Sequence, residues 1–223
     1  MIHFQRVTKR YGNTVALEDV DWEVAAGERV VVLGASGAGK TTLLRLASME
    51  IAPSSGAVLV GSYASGAMSG AKRALVRRTL GIVFEEARLL PDRTVAENVA
   101  IALNVAGQWD GPPLREKVRA ALEEVGVAER ADSPADGLSA GERQRVALAR
   151  AIVRQPLVLL ADDPAGRLDQ AGAEHLLNCL RRAHERGTTV VLATHDERTA
   201  AAFGGRITRL VGGRIPPAVE TAP

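Results

Sequence analysis

A single cysteine, Cys179, stands in 223 residues, so no disulfide can form within the chain. Its neighbours Leu176, Leu177 and Leu180 predict a buried thiol on a helix, and with it a reducing, cytosolic setting. Aromatic residues are almost as scarce. Two Trp, two Tyr and three Phe are too few to build the stacking platforms on which single-stranded nucleic acids lie. Neither sign of charge prevails, the formal net charge being +2. The tightest basic group, Lys72, Arg73, Arg77 and Arg78, has helical spacing and reads as a solvated face, so no nucleic-acid partner is expected. Long apolar runs are missing too. The longest charge-free span, residues 51–71, is broken by Pro53, four glycines and five serines, which excludes it as a membrane helix. Met1 leads directly into a strand-like segment, leaving no room for a leader. Any work at a membrane is therefore expected to go through a partner.

What the chain does have is 46% hydrophobic residues, enough to bury the core of one large α/β domain. Three short β-branched runs, residues 29–33, 157–161 and 189–193, are nearly continuous in apolar residues and bounded by polar or turn residues. That pattern predicts strands buried on both faces of a mostly parallel sheet. Each run ends at a residue able to do chemistry: Gly34, Asp162 and His195 fall at or just past the C-terminal ends, where such sheets bind ligands. Residues 2–7 and 15–24 alternate like strands and predict a smaller N-terminal antiparallel layer, with Trp22 packed in it. Between residues 86 and 154 the period turns helical, over 95–105 and 114–125, separated by the breaker Gly111-Pro112-Pro113. This predicts a helical subdomain inserted in the core. Thr94 with Glu97, and Ser139 with Glu142, have capping-box spacing, and Pro156 ends the second of these helices. One domain over residues 1–215, with a frayed tail from 216 to 223, is expected.

The run Gly34-Ala35-Ser36-Gly37-Ala38-Gly39-Lys40-Thr41 sits between a predicted strand and a predicted helix, which is the context a phosphate-binding loop needs. Its glycines let backbone N–H groups curl around phosphate oxygens, and the helix start adds a favourable dipole. Lys40 is expected on the β- and γ-phosphates, Thr41 on Mg²⁺ and Thr42 beside the nucleotide. Asp162, ending an apolar strand, suits a carboxylate that holds Mg²⁺; Asp163 next to it suits polarisation of an attacking water. Leu138-Ser139-Ala140-Gly141-Glu142-Arg143-Gln144 places a second glycine-flanked serine at a helix start. Because the chain already has Lys40 and its loop, this second anion-attracting element points to ATP bound between two subunits.

These motifs, in this order, resemble the nucleotide-binding domain of ATP-binding cassette (ABC) proteins over nearly the whole chain. The resemblance implies a P-loop NTPase core that hydrolyses ATP with Mg²⁺ and pairs head to tail with a second ATPase subunit. It implies a nucleotide lined by Tyr11 on the adenine, Gly34 to Thr41 (Walker A), Ser139 and Gly141 (signature) and Asp169 (D-loop), with His195 as the switch that senses the γ-phosphate. Asp162 and Asp163 stand at the end of Walker B. Leu89-Leu90-Pro91-Asp92-Arg93-Thr94-Val95-Ala96-Glu97-Asn98-Val99 and the start Met1-Ile2 look like the FtsE branch, whose ATPases pair with the membrane protein FtsX and gate cell-wall hydrolases across the inner membrane. That implies an FtsX-like permease contacted by the helical subdomain, at the cytoplasmic face of the inner membrane. Asp162-Asp163-Pro164-Ala165-Gly166-Arg167-Leu168-Asp169 is similar to a string shared with LolD and MacB ATPases, with Ala165 and Arg167 in place of Thr and Asn. The DNA-repair and translation ATPases of the superfamily, with long insertions or tandem cassettes, fit less well.

Two departures bear on rate. Glu85 stands where the family has Gln, as both Mg²⁺ ligand and catalytic residue; an anion about 4 Å from the γ-phosphate is repelled by about 4 kcal/mol at an effective dielectric of about 20. Asp163 stands where the family has a catalytic Glu, and a misplacement of about 1 Å can cost on the order of a hundredfold in rate. Slow hydrolysis with ATP binding preserved is expected; a module clamped on ATP with little turnover is the competing reading.

Overall fold

The computed structural model describes residues 1–65, 68–105 and 111–216, so the predicted tail beyond Pro216 lies outside the described residues. Strands β1 (Ile2–Tyr11) and β2 (Thr14–Val24) form a hairpin, followed by β3 (Arg29–Leu33) and helix α1 (Lys40–Ala47). Next come β4 (Ser55–Val60), β5 (Tyr63–Ala64), α2 (Gly70–Arg78) and β6 (Leu80–Val83). Helices α3 (Val95–Asn104), α4 (Pro112–Glu124) and α5 (Ala140–Ile152) precede β7 (Val158–Asp162) and α6 (Gln170–Glu185). The described chain closes with β8 (Thr189–Thr194), α7 (Glu197–Phe203) and β9 (Arg206–Arg209).

The central sheet has the order β6-β7-β8-β3-β9 and every pairing in it is parallel. Its strands bury both faces, and the period of two decides which core each residue joins. Val31, Leu33, Leu159, Ala161, Val190 and Leu192 pack with the helices, among them Val146 and Leu148 of α5, Leu176 and Leu180 of α6 and Phe203 of α7. The intervening Val30, Val32, Val158, Leu160, Val191 and Ala193 turn to the other face and pack with α1 and the second sheet. Each fully buried Val or Leu contributes about 1.5–3 kcal/mol relative to an exposed one.

That second sheet is antiparallel, ordered β2-β1-β4-β5. It therefore extends beyond the N-terminal hairpin to two strands that follow α1. Trp22 is buried in it, edge-on to Phe4 with ring centroids 5.5 Å apart, and its indole N–H donates to Thr208 Oγ1 at 3.1 Å. The helical stretch shares one continuous core with the parallel sheet: Val95, Val99, Leu103 and Leu122 join Val83 and Leu159. Both expected capping boxes form, with Glu97 N donating to Thr94 Oγ1 and Glu142 N donating to Ser139 Oγ, each at 3.2 Å. Pro112 and Pro113 do not merely separate two helices. They form the first turn of α4, where a missing N–H costs nothing.

Of the basic group on α2, Lys72 and Arg78 are exposed as expected, but Arg73 and Arg77 are half-buried, and Arg77 Nη1 donates to the Met49 carbonyl at 3.4 Å. Cys179 is fully buried, and desolvation raises its thiol pKa against the opposing influence of Arg182. No helix among the described residues is long and apolar enough to cross a membrane.

Candidate functional site

β3 ends at Leu33, β7 at Asp162 and β8 at Thr194, so Gly34, the Asp162-Asp163 pair and His195 lie together at the C-terminal edge of three adjacent parallel strands. The loop after β3 is moulded by close approach. A Cβ on Gly34 would lie 2.4 Å from the Leu210 carbonyl oxygen, and Gly39, at φ 103°, would place one 2.6 Å from the Ala16 oxygen. Only glycine tolerates both the contact and the left-handed backbone at Gly39. Ala35, Ser36 and Gly37 are exposed at the loop crest, with Ala38 buried beneath. Unlike α3, α5 and α6, α1 has no side-chain N-cap, so its first N–H groups face the loop uncapped. Lys40 is buried, and its ammonium bridges the carbonyls of Gly34 at 2.7 Å and Ala35 at 3.0 Å.

Thr41, the next residue on α1, lines one cleft with the Asp162 carboxylate, while Thr42 is half-buried on the following position. Burial raises Asp162 above the usual carboxylate range; the Thr41 hydroxyl opposes this, Asp163 and Glu85 add to it, and Lys40 pulls it back. Hydroxyl and carboxylate oxygens among mutually repelling anions suit a hard divalent cation. Among the described residues no three His, Cys, Asp or Glu side chains group as a metal site. A cation held by Thr41 and Asp162 would thus draw its remaining ligands from phosphate oxygens and water.

Asp163 carries a left-handed backbone, φ 40°, and its N–H donates to the Ala193 carbonyl at 2.8 Å. This turns its side chain towards the end of β8. One carboxylate oxygen accepts from Thr194 Oγ1 at 3.1 Å and the other lies 2.6 Å from His195 Nδ1. The structure therefore joins Asp163 and His195 directly. Glu85 follows β6 and lines one cleft with Thr41 and Asp162. It is not an isolated anion, because Arg167 Nη2 stands 3.5 Å from Glu85 Oε1 and 3.5 Å from Glu86 Oε1.

Tyr11 is 43% exposed at the tip of the hairpin whose second strand touches Gly39 through Ala16, and Lys9 Nζ lies 5.2 Å from its ring centre. Ser139 is exposed, and its hydroxyl and N–H are both bonded within the first turn of α5, to Glu142. Gly141 is half-exposed in the same turn. Asp169 is exposed and caps α6 by accepting from Gly172 N at 2.8 Å. The hydrogen bonds of Ser139 and Asp169 stay within the first turns of α5 and α6, with none to the phosphate loop.

Sequence residues 17–166 match the ABC transporter family. The chain belongs to that family. Among relatives of this ABC ATPase domain, the cell division ATP-binding protein FtsE of Mycobacterium tuberculosis is 40% identical over 217 residues, covering 96% of this chain and 94% of that protein. The lipoprotein-releasing system ATP-binding protein LolD of Syntrophotalea carbinolica is 43% identical over 201 residues, 89% of this chain and 88% of that protein. The fold superposes on the ATP-binding cassette MJ0796, solved as a post-hydrolysis dimer bound to ADP and Pi, with a TM-score of 0.89, 31% identity and 97% of both chains covered.

Reading the ABC sequence motif by motif misses the residues that hold the Glu85 loop. Gln144, buried on α5, donates from its amide to the Phe84 carbonyl at 2.8 Å. Arg150, two turns on, donates to the carbonyls of Ala87 at 2.7 Å and Arg88 at 2.8 Å, and burial lowers its pKa. Arg88 in turn stacks its guanidinium over the Phe84 ring, 3.9 Å from the centroid. Thr194 was likewise unmarked. Their one sequence signal is that Gln144 closes the signature run.

Proposed function

We propose that this chain is the ATP-hydrolysing subunit of an FtsE-like cell-division complex, converting ATP and water to ADP and phosphate. It works as a head-to-tail pair at the cytoplasmic face of the inner membrane, with an FtsX-like integral membrane partner that regulates cell-wall hydrolysis. The observation that carries this reading is the meeting, at one sheet edge, of Lys40 with its loop, Asp162 in one cleft with Thr41, and Asp163 bonded to His195. Identity of about 40% to FtsE across nearly the full length supports the branch.

In this reading Lys40 exchanges the Gly34 and Ala35 carbonyls for the β- and γ-phosphates, and the uncapped start of α1 supplies backbone donors. Thr41 and Asp162, with Glu85 beside them, would hold Mg²⁺, which spreads the charge of the phosphates. Asp163 takes the proton of the attacking water, and His195, 2.6 Å away, fixes the orientation of its carboxylate while meeting the γ-phosphate. Tyr11 stacks on adenine. The facing subunit adds Ser139, Gly141 and Asp169; within one chain Ser139 and Asp169 make no hydrogen bond to the phosphate loop.

The acting unit spans residues 1–215, with the helical subdomain 86–154 reaching the membrane partner. Exposed Leu90, Ile101 and Val105 on that stretch support it as the contact region. A LolD-type role in lipoprotein release is the second reading, favoured by the 43% identity to LolD. Affinity purification in mild detergent distinguishes them. The expected result is co-purification of one integral membrane protein with a large extracytoplasmic region, and ATP binding lost at least about tenfold in Lys40→Ala, with a thermal melt to check that the fold persists without the Lys40 bonds to Gly34 and Ala35. Recovery without any membrane protein would refute the assignment, and recovery of lipoprotein-sorting proteins would favour LolD.

A further inference from the structure

Two positions at which the sequence departs from the ABC pattern, Glu85 and Arg167, are far apart in the chain and in contact in the fold. The anionic character of the site makes that contact consequential. Glu85 and Glu86 line the same cleft as Thr41 and Asp162, and the Glu85 charge already contributes to the raised pKa of Asp162. Bringing the γ-phosphate of a nucleotide to this cleft sets it against these carboxylates. Lys40 stands on the loop side, bonded to the Gly34 and Ala35 carbonyls. On the opposite side the guanidinium of Arg167 lies 3.5 Å from both Glu85 and Glu86 and bridges them with one group.

The backbone of Arg167 is itself placed by the site. The turn that carries it starts at Asp163, whose carbonyl accepts from Gly166 N at 3.2 Å, and continues as Leu168 N donates to Ala165 O at 3.0 Å. Arg167 thus ties the loop after β6 to the turn bearing the carboxylate that faces the water. The other side of that loop is held by Gln144 and Arg150 of α5. These restraints come from different elements: Gln144 and Arg150 bond backbone carbonyls of the loop, whereas Arg167 meets the Glu85 and Glu86 carboxylates themselves.

We propose that Arg167 is a positioning residue for the terminal phosphate: it neutralises Glu85 and holds its loop, so that an anion at this position remains compatible with a nucleoside triphosphate. The proposal rests on the reading of the site as an ATP site. Because the repulsion it offsets is aimed at the γ-phosphate, loss of Arg167 weakens binding of the triphosphate more than of the diphosphate. The pair is half-exposed, so the effect is small and salt-sensitive.

The test is a double-mutant cycle read by titration of the full-length protein with fluorescent ATP and ADP analogues, with and without Mg²⁺, alongside thermal melts. Arg167→Asn is expected to weaken ATP binding about two- to fivefold at low salt, the range of an exposed ion pair, with ADP binding nearly unchanged. Arg167→Lys keeps the charge and recovers most of the loss. In a Glu85→Gln background Arg167→Asn costs clearly less, the remainder being the charge of Glu86, which Arg167 also meets at 3.5 Å, and in turnover the loss shows in KM and not in kcat. Equal losses in both backgrounds, equal losses for ATP and ADP, or no loss at all overturn the proposal. A wild-type protein that binds neither nucleotide overturns the ATP-site reading itself, and the melts separate both results from misfolding.

Discussion

Asp163→Glu tests the rate argument on the atom that carries it. In the structure the Asp163 carboxylate is fully engaged by neighbours, with Thr194 Oγ1 at 3.1 Å and His195 Nδ1 at 2.6 Å. It reaches them because its backbone is left-handed, at φ 40°, and its side chain is short. One more methylene extends the side chain by about 1.5 Å, enough to carry the carboxylate past these partners towards the phosphate edge. A correction of about 1 Å in the position of a water-activating group is worth about a hundredfold, or about 2.7 kcal/mol in the barrier. Against this stands the loss of two hydrogen bonds, about 1 kcal/mol each in stability. Rapid-quench single-turnover hydrolysis with protein in excess is expected to rise between about tenfold and a hundredfold in Asp163→Glu. The melting temperature should fall by about 4–8 °C. An unchanged or slower chemical step would refute the claim that the short carboxylate limits hydrolysis, as would wild-type turnover at the rate usual for the family.

Two further outcomes test the fold beneath the site. Gly39→Ala combines a left-handed φ of 103° with a Cβ 2.6 Å from the Ala16 oxygen, so it is expected to destabilise the protein by more than about 2 kcal/mol in a denaturant melt and to weaken nucleotide binding; an unchanged midpoint would contradict the loop geometry. Glu28 is held below its usual pKa of 4.5 first by its hydrogen bond to Arg206, at 2.5 Å. Its folded pKa lies below its unfolded one, so the unfolded state takes up more protons as pH falls through that region. The Glu28 contribution is therefore present above about pH 4.5 and lost on acidification below it. Chemical denaturation from pH 7 to pH 3 should show a shallower acid limb in Glu28→Gln, and identical limbs would remove the linkage.

Much of the site was legible in the sequence because its chemistry is local. The phosphate loop is eight consecutive residues, Gly34 to Thr41, in which Gly37 and Gly39 take the left-handed backbone a tight turn needs, although the close approaches at Gly34 and Gly39 come from Leu210 and Ala16 far along the chain. The two capping boxes need only Thr94 with Glu97 and Ser139 with Glu142, each three residues apart, so spacing alone predicts the bond. Strands 29–33 and 189–193 could be read because burial on both faces makes every position after the opening Arg29 and Thr189 apolar, and β3 and β8 begin where those runs begin. Other strands were harder. β5 and β9 are short edge strands, and β4, inside its sheet, opens on Ser55 and Gly56, so no period distinguishes them from a loop. What orders them is the backbone of their neighbours: β4 pairs with β1, and β9 with β3.

The amino-acid order alone thus determined which residues can cradle a phosphate, start a helix or line a doubly buried strand, since each depends on neighbours within a few positions. Tertiary structure decided how they act on one another. Thr194 and His195 reach Asp163 across 31 and 32 residues because parallel strands set their C-terminal ends side by side, and Gln144 reaches Phe84 across 60 because α5 packs into the same core as the end of β6. Arg167 reads in sequence as a substitution in a turn, and Glu85 as an anion placed badly for phosphate. Only folding puts them 3.5 Å apart, and Coulomb attraction depends on that distance and not on separation along the chain.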